Sequence, residues 1–256
     1  MEQLHEVLTA HHYPGRGVVW ARTLDGALCG GYFLTGRSAA SRAREIQLRG
    51  APGGAELVVA PTGTAAGGGR DPLRHYVAAR ERDGRLVFGN GEQVAVVSDR
   101  LAAGAAPGEA LDALDYEPDP PIFTPRITVV AETGPAPRAW FGAARRSAGG
   151  REATDLLTLA VRALAPGDAV LMTTYRSDGR TVATGAPYLE ARTDAAEPAV
   201  LLDEIWGALA RELRVGVAVF RPGRLAEAIV RSPRGGRQAA LTGKGGMRSN
   251  RTSTRA

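Results

Sequence analysis

The sequence predicts an α+β fold built mostly from antiparallel strands. Three observations carry this. Short apolar runs rich in Val, Leu, Phe, Tyr and Trp recur between turn residues along most of the chain. Helical periodicity is confined to a few segments and does not alternate with every strand, as a doubly wound sheet would require. No internal repeat or linker divides the 256 residues, so 1–236 reads as one domain.

In chain order, "MEQLHEVLTAHHYPG" carries acids and lacks a basic start followed by an apolar stretch, so it does not read as a signal peptide. "GVVWAR" and "LCGGYFLTG" read as strands joined by the turn "TLDGA", and "AELVVAP" as a third. "RHYVAARERDGRLVFGNG" reads as a hairpin turning at Asp83-Gly84. A helix is expected near Glu92–Ala103. A second starts at Pro107, where proline suits a first turn, and runs to about Tyr116. "RITVVAE", "RAWFGAARR", "TDLLTLAVRAL" and "DAVLMTTYR" read as strands. "EPAVLLDEIWGALARELR" is the clearest helix, and "VGVAVFR" reads as a buried strand.

Charge is uneven. After Phe220 there are nine basic residues and one acid, so the first 220 residues sum to −3 within a total of +5. Residues 237–256 are polar and glycine-rich, with little apolar surface to bury, and are expected to be a disordered basic tail. That tail alone is too weak a signal to make nucleic acid the expected partner. No apolar run approaches the ~20 residues needed to span a bilayer. A single cysteine, Cys29, excludes an internal disulfide and fits a reducing cytoplasm.

Arginine outnumbers lysine 31 to 1, and the one lysine, Lys244, lies in the tail. Lysine chemistry is thereby disfavoured, including Schiff bases and P-loop phosphate binding. "GNGEQV" lacks the third glycine of a dinucleotide fingerprint. His5, His11, His12 and His75 lack metal-ligand spacing, so a metal site is not expected. Cys29 reads as a small strand residue. The stretch Tyr13–Glu45 holds five arginines. They are either solvated surface charge or the lining of an anion pocket.

Four words in sequence narrow the choice: "YPGRG", "YFLTGRSAASRAR", "RHYVAARERDGRLVFGNGEQV" and "LDALDYEPDPPIFTPRI". Together, over about residues 13–132, they resemble the archaeal-type inosine monophosphate (IMP) cyclohydrolases and their bacterial relatives. That resemblance implies a four-layer αββα sandwich like the N-terminal nucleophile hydrolases. The chain begins Met-Glu-Gln, so an N-terminal nucleophile is not expected. The implied reaction closes the purine ring of 5-formamidoimidazole-4-carboxamide ribonucleotide with loss of water. It needs no cofactor.

The resemblance assigns Tyr76 and Glu117 to catalytic positions. A phenol can donate to the formyl oxygen, and a carboxylate can order water or shuttle a proton. Arg16, Arg37 and Arg42 fall at substrate-binding positions, where a guanidinium fork suits phosphate and carbonyl groups. Asn90, between two glycines, could reach substrate. Arg126 could bind substrate or pair with Glu117 or Asp115. Arg22 and Arg44 are expected to face solvent. One departure stands out: Ser41 occupies a position where the family usually carries asparagine. A relative acting on another imidazole or purine-like nucleotide therefore stays open, as does a non-catalytic nucleotide binder. The expected partner is a small nucleotide in the cytoplasm, with no membrane; a homo-oligomer stays open.

Overall fold

The computed structural model describes residues 1–51, 53–62, 73–147, 153–176, 188–233 and 236–238. Of the tail expected over 237–256, residues 237 and 238 fall in a short strand and 239–256 lie outside the described residues.

Two seven-stranded antiparallel sheets dominate, with few helices, as the sequence pattern requires. The first sheet contains β1 (Arg16–Arg22), β2 (Leu28–Thr35), β10 (Asp168–Thr173), β11 (Tyr188–Arg192), β12 (Arg214–Phe220), β13 (Ile229–Ser232) and β14 (Gly236–Gln238). Its order is β11-β10-β1-β2-β12-β13-β14. The second runs in chain order through β3 (Arg44–Ala51), β4 (Gly54–Pro61), β5 (Tyr76–Arg82), β6 (Arg85–Gly89), β7 (Arg126–Glu132), β8 (Ala139–Arg146) and β9 (Thr154–Val161).

One apolar cluster draws Val18, Trp20, Tyr32 and Leu34 from the first sheet and Leu57, Phe88, Val129 and Phe141 from the second. The Phe88 ring meets Phe220 edge-on at 5.2 Å across it. The other face of the first sheet, through Val19, Phe33 and Leu171, packs on α1 (Leu4–Thr9) and α5 (Pro198–Ala208). Val87 and Val130 of the second sheet pack on α3 (Gln93–Ala102) and α4 (Pro107–Asp112). Burial on both faces explains why "GVVWA" is a continuous apolar run rather than an alternating one.

The Asp83-Gly84 turn forms as expected, with both residues at positive φ (51° and 72°), the conformation a two-residue hairpin needs. Several boundaries differ from the sequence reading. The helix at Pro107 stops at Asp112. The helix expected over 197–214 stops at Ala208, where Leu209 turns extended and Arg214 already starts β12. The α2 (Ala39–Arg42), β3, β11, β13 and β14 elements carry no strong apolar pattern, and α1, though Leu4, Val7 and Leu8 share a face, is only six residues long; none of these is expected from the sequence. The arginine- and glutamate-bearing β3 is an edge strand, only half-buried along most of its length.

Candidate functional site

Arg16 opens β1, and its backbone is held from both sides. Its N–H donates to Thr174 Oγ1 (3.1 Å), and its carbonyl accepts from Thr174 N (2.9 Å). The side chain runs inward and is buried. One guanidinium nitrogen donates to Glu117 Oε1 (2.9 Å) and to the Asn90 carbonyl (2.7 Å). The other donates to Glu117 Oε2 (2.8 Å). Glu117 is only 3% exposed. The result is a forked, charge-assisted pair between residues 101 positions apart.

The loop carrying Glu117 is closed on itself. Glu117 N donates to Thr124 O (2.8 Å), and the Asp119 carboxylate accepts from Thr124 N (2.6 Å) and Oγ1 (2.5 Å). With its proton committed to Asp119, Thr124 Oγ1 accepts from the Tyr175 hydroxyl (2.6 Å). The Tyr175 ring stacks on Tyr13 at 5.5 Å, and the Arg37 guanidinium lies 4.7 Å over Tyr13.

Asn90 spends its amide on the scaffold. Its Oδ1 accepts from Ile127 N (2.8 Å) and Gln93 Nε2 (2.8 Å), and its Nδ2 donates to Pro125 O (2.8 Å). What Asn90 presents to the site is therefore its main-chain carbonyl, on Arg16. Arg126 pairs with Glu92 (3.1 Å), not with Glu117 or Asp115.

Tyr76 begins β5, just past a register shift between Leu57 and Val58 of the partner strand; such a bulge re-aims side chains. Its hydroxyl meets that of Tyr32 at 2.7 Å, with both rings buried. Both hydroxyls lie near the Arg16 guanidinium.

Burial pushes the Glu117 carboxyl above the ordinary carboxylate value of 4.5, while the Arg16 charge and hydrogen bonds pull against it. Burial works against the Arg16 charge, yet Glu117, together with the neighbouring Tyr76 and Tyr175, more than compensates, and Arg16 stays protonated. Burial also raises Tyr32 well above an ordinary phenol, so its proton stays on. Desolvation lifts the Cys29 thiol to about 12, which leaves it inert as a nucleophile.

A second region lies beyond the short helix α2. Arg42 donates to the Arg37 carbonyl (2.6 Å) and lines a cleft of about 260 Å³ with Arg44, Arg211 and Arg214, the carboxylates Glu45 and Glu212, and the hydroxyl-bearing Thr62 and Ser232. Arg44 does not face solvent: it is half-buried, donating to Ser41 O (2.8 Å) and Thr35 O (3.4 Å). Arg22 is likewise tied, to Gly26 O (3.0 Å) and Leu164 O (3.2 Å). Both expectations fail for one reason: a guanidinium has five donors, and carbonyls at strand ends supply acceptors that the sequence does not advertise. Arg214 donates to Leu209 O (2.7 Å) and Gly207 O (3.1 Å). Burial, then the neighbouring Arg231 and Arg211 charges, hold it below the ordinary guanidinium value.

The sequence-derived residues thus fall into two groups. Arg16, Tyr76, Asn90 and Glu117 meet in a buried polar centre. The others lie apart from it: Arg42 lines the arginine cleft, Arg37 holds Arg42 by its carbonyl while its guanidinium lies over Tyr13, and Arg126 sits at the start of β7 against Glu92. Tyr32, Thr124 and Tyr175 were missed because each reads as an ordinary strand or turn residue, and Gln93 because it reads as a helix-start residue. Among the described residues no group of three or more His, Cys, Asp or Glu side chains could hold a metal ion. Among them, too, no helix is long and apolar enough to cross a membrane.

A family model described as IMP cyclohydrolase-like protein matches residues 13–221. The chain belongs to that family. The match extends well past the four words quoted above and includes the strands and loops that supply Thr174, Tyr175, Arg211 and Arg214. A search of curated proteins finds no match. Membership of the IMP cyclohydrolase-like family supports an enzyme of cyclohydrolase type.

Proposed function

We propose that the protein closes the purine ring of 5-formamidoimidazole-4-carboxamide ribonucleotide, releasing water. The observation that carries this reading is the buried Glu117 carboxylate, locked in the Arg16 fork near the Tyr32–Tyr76 hydroxyl pair.

The carboxamide nitrogen attacks the formyl carbon, and a C–N bond forms. Glu117 accepts the proton that nitrogen loses. Its raised affinity for protons suits it to that task near neutral pH. Tyr76 donates to the formyl oxygen as charge gathers there, with Tyr32 orienting the phenol. The oxygen is then protonated and leaves as water, the second proton coming from the former amide. Arg16 does not grip the substrate in this scheme, because Glu117 fills its fork; it fixes the carboxylate. The amide is a poor nucleophile, so much of the acceleration comes from holding the reacting atoms in line.

The arginine cleft is the phosphate end. Arg42, Arg44 and Arg214 are bonded to neutral carbonyls, and with Arg211 the four arginines outnumber the cleft's two carboxylates, Glu45 and Glu212, which leaves net positive charge for an anion. Arg37, over Tyr13, and Arg126 border the bound nucleotide. The same reading takes the fold as the four-layer αββα sandwich of the N-terminal nucleophile hydrolases. The helix pairs packed on the outer faces of the two sheets support it.

The test is direct. Purified protein mixed with the formamido ribonucleotide should raise purine absorbance without added metal or cofactor. An unchanged spectrum with a folded protein would reject ring closure on this substrate.

A further inference from the structure

Three buried side-chain atoms lack a hydrogen-bond partner among the described residues: Gln93 Oε1, Arg126 Nε and Arg146 Nε. The first borders the site. Gln93 is 2% exposed, on the first turn of α3. Its amide orientation is forced. Asn90 Nδ2 faces a carbonyl (Pro125 O) and Asn90 Oδ1 faces an N–H (Ile127 N), which fixes the Asn90 amide. Gln93 must then present its NH₂ to Asn90 Oδ1. The reverse orientation would set two acceptors against each other. Gln93 Oε1 therefore points away from Asn90.

It points at Gly91. A methyl group built on Gly91 would lie 2.6 Å from Gln93 Oε1 and 3.2 Å from Glu117 Oε1. Both oxygens thus border the space that the missing side chain leaves. Glu117 Oε1 takes one bond from Arg16 and has a second lone pair free. An unpaired buried acceptor costs free energy unless something donates to it.

We infer that Gly91, Gln93 and Glu117 form a niche for an NH₂ group, and that Gln93 makes the site specific for a carboxamide over a carboxylate. This rests on the ring-closing reading for its ligand. The carboxamide nitrogen gives one N–H to Gln93 Oε1 and the other to Glu117 Oε1, the base that removes it. A carboxylate in the same place offers no proton and faces two acceptors, one of them charged.

The test compares two ribonucleotides that cannot cyclise: 5-aminoimidazole-4-carboxamide ribonucleotide and its 4-carboxylate counterpart. Calorimetry measures binding to the native chain, to Gly91→Ala and to Gln93→Met, with folding checked by circular dichroism and native turnover measured alongside. The native chain should prefer the carboxamide about 10²-fold, the scale set by one unsatisfied buried group. Either variant should weaken carboxamide binding about 10-fold and leave carboxylate binding nearly unchanged. A preference that stays at its full native size in both variants, or is absent from the native chain, overturns the niche; if native turnover persists, ring closure still stands. Failure of the native chain to bind either ribonucleotide removes the ring-closing reading and the niche with it.

Discussion

The buried centre at Arg16 and the open cleft at Arg42 use the same side chain for opposite ends. Arg16 is 8% exposed and its fork is filled by a carboxylate, so the pair is nearly neutral and fixed in direction. Arg42 is exposed, and its partner is a neutral carbonyl, Arg37 O; the half-buried Arg44 and Arg214 are likewise bonded to carbonyls. A neutralised arginine orients another group; an uncompensated one attracts an anion. Arginine count alone cannot tell these cases apart, but the partner of each guanidinium does.

The comparison breaks most visibly in stability. Glu117→Ala leaves a buried guanidinium without its carboxylate, at a cost of about 3–5 kcal/mol. Arg42→Ala removes a largely solvated charge and should leave the melting temperature almost unchanged. Equal shifts in the two variants would mean that the Arg16–Glu117 pair is not the anchor described here.

Tyr76→Phe comes next. It keeps the ring in the core and removes one hydroxyl, so folding should hold while kcat falls ~10²–10³, the usual scale for one oxyanion donor. Full activity in a folded variant would remove Tyr76 from the chemistry.

The pH profile sharpens the assignment of Glu117. Its carboxyl lies above 4.5 because burial disfavours the charged form. Protonation removes the base, so kcat should fall as pH drops through that raised value, giving an acid limb above the ordinary carboxylate range. The limb should disappear in Glu117→Gln, on whatever activity remains. The smallest effect concerns residues 239–256: truncation after Gln238 should leave melting temperature and turnover within error of the full chain.

Much of this was legible in the sequence, though unevenly. The buried strands and the Asp83-Gly84 hairpin show because apolar runs and turn residues mark them. Edge strand β3 does not, since its half-buried faces carry polar residues, and neither does helix α1, whose buried Leu4, Val7 and Leu8 span too few turns to mark a period. The residue words located Arg16, Asn90 and Glu117, but nothing local revealed that Arg16 would bond Glu117 across 101 positions. Tyr32 was hidden for a different reason: within "GGYFL" an inward tyrosine looks like any core aromatic. Gln93 looked like a helix-start residue, and only the hydrogen bonds around Asn90 fix where its carbonyl points.

The most direct test is steady-state kinetics on the formamido ribonucleotide for two variants side by side, Glu117→Gln and Arg42→Ala. Glu117→Gln should lower kcat by at least ~10²-fold with little change in KM, as expected for loss of a proton acceptor. Arg42→Ala should raise KM about 10-fold with kcat nearly intact, as expected for loss of a phosphate contact shared by ground and transition states. The reverse pattern, or the same pattern in both, would contradict the division between a reacting centre and a gripping cleft.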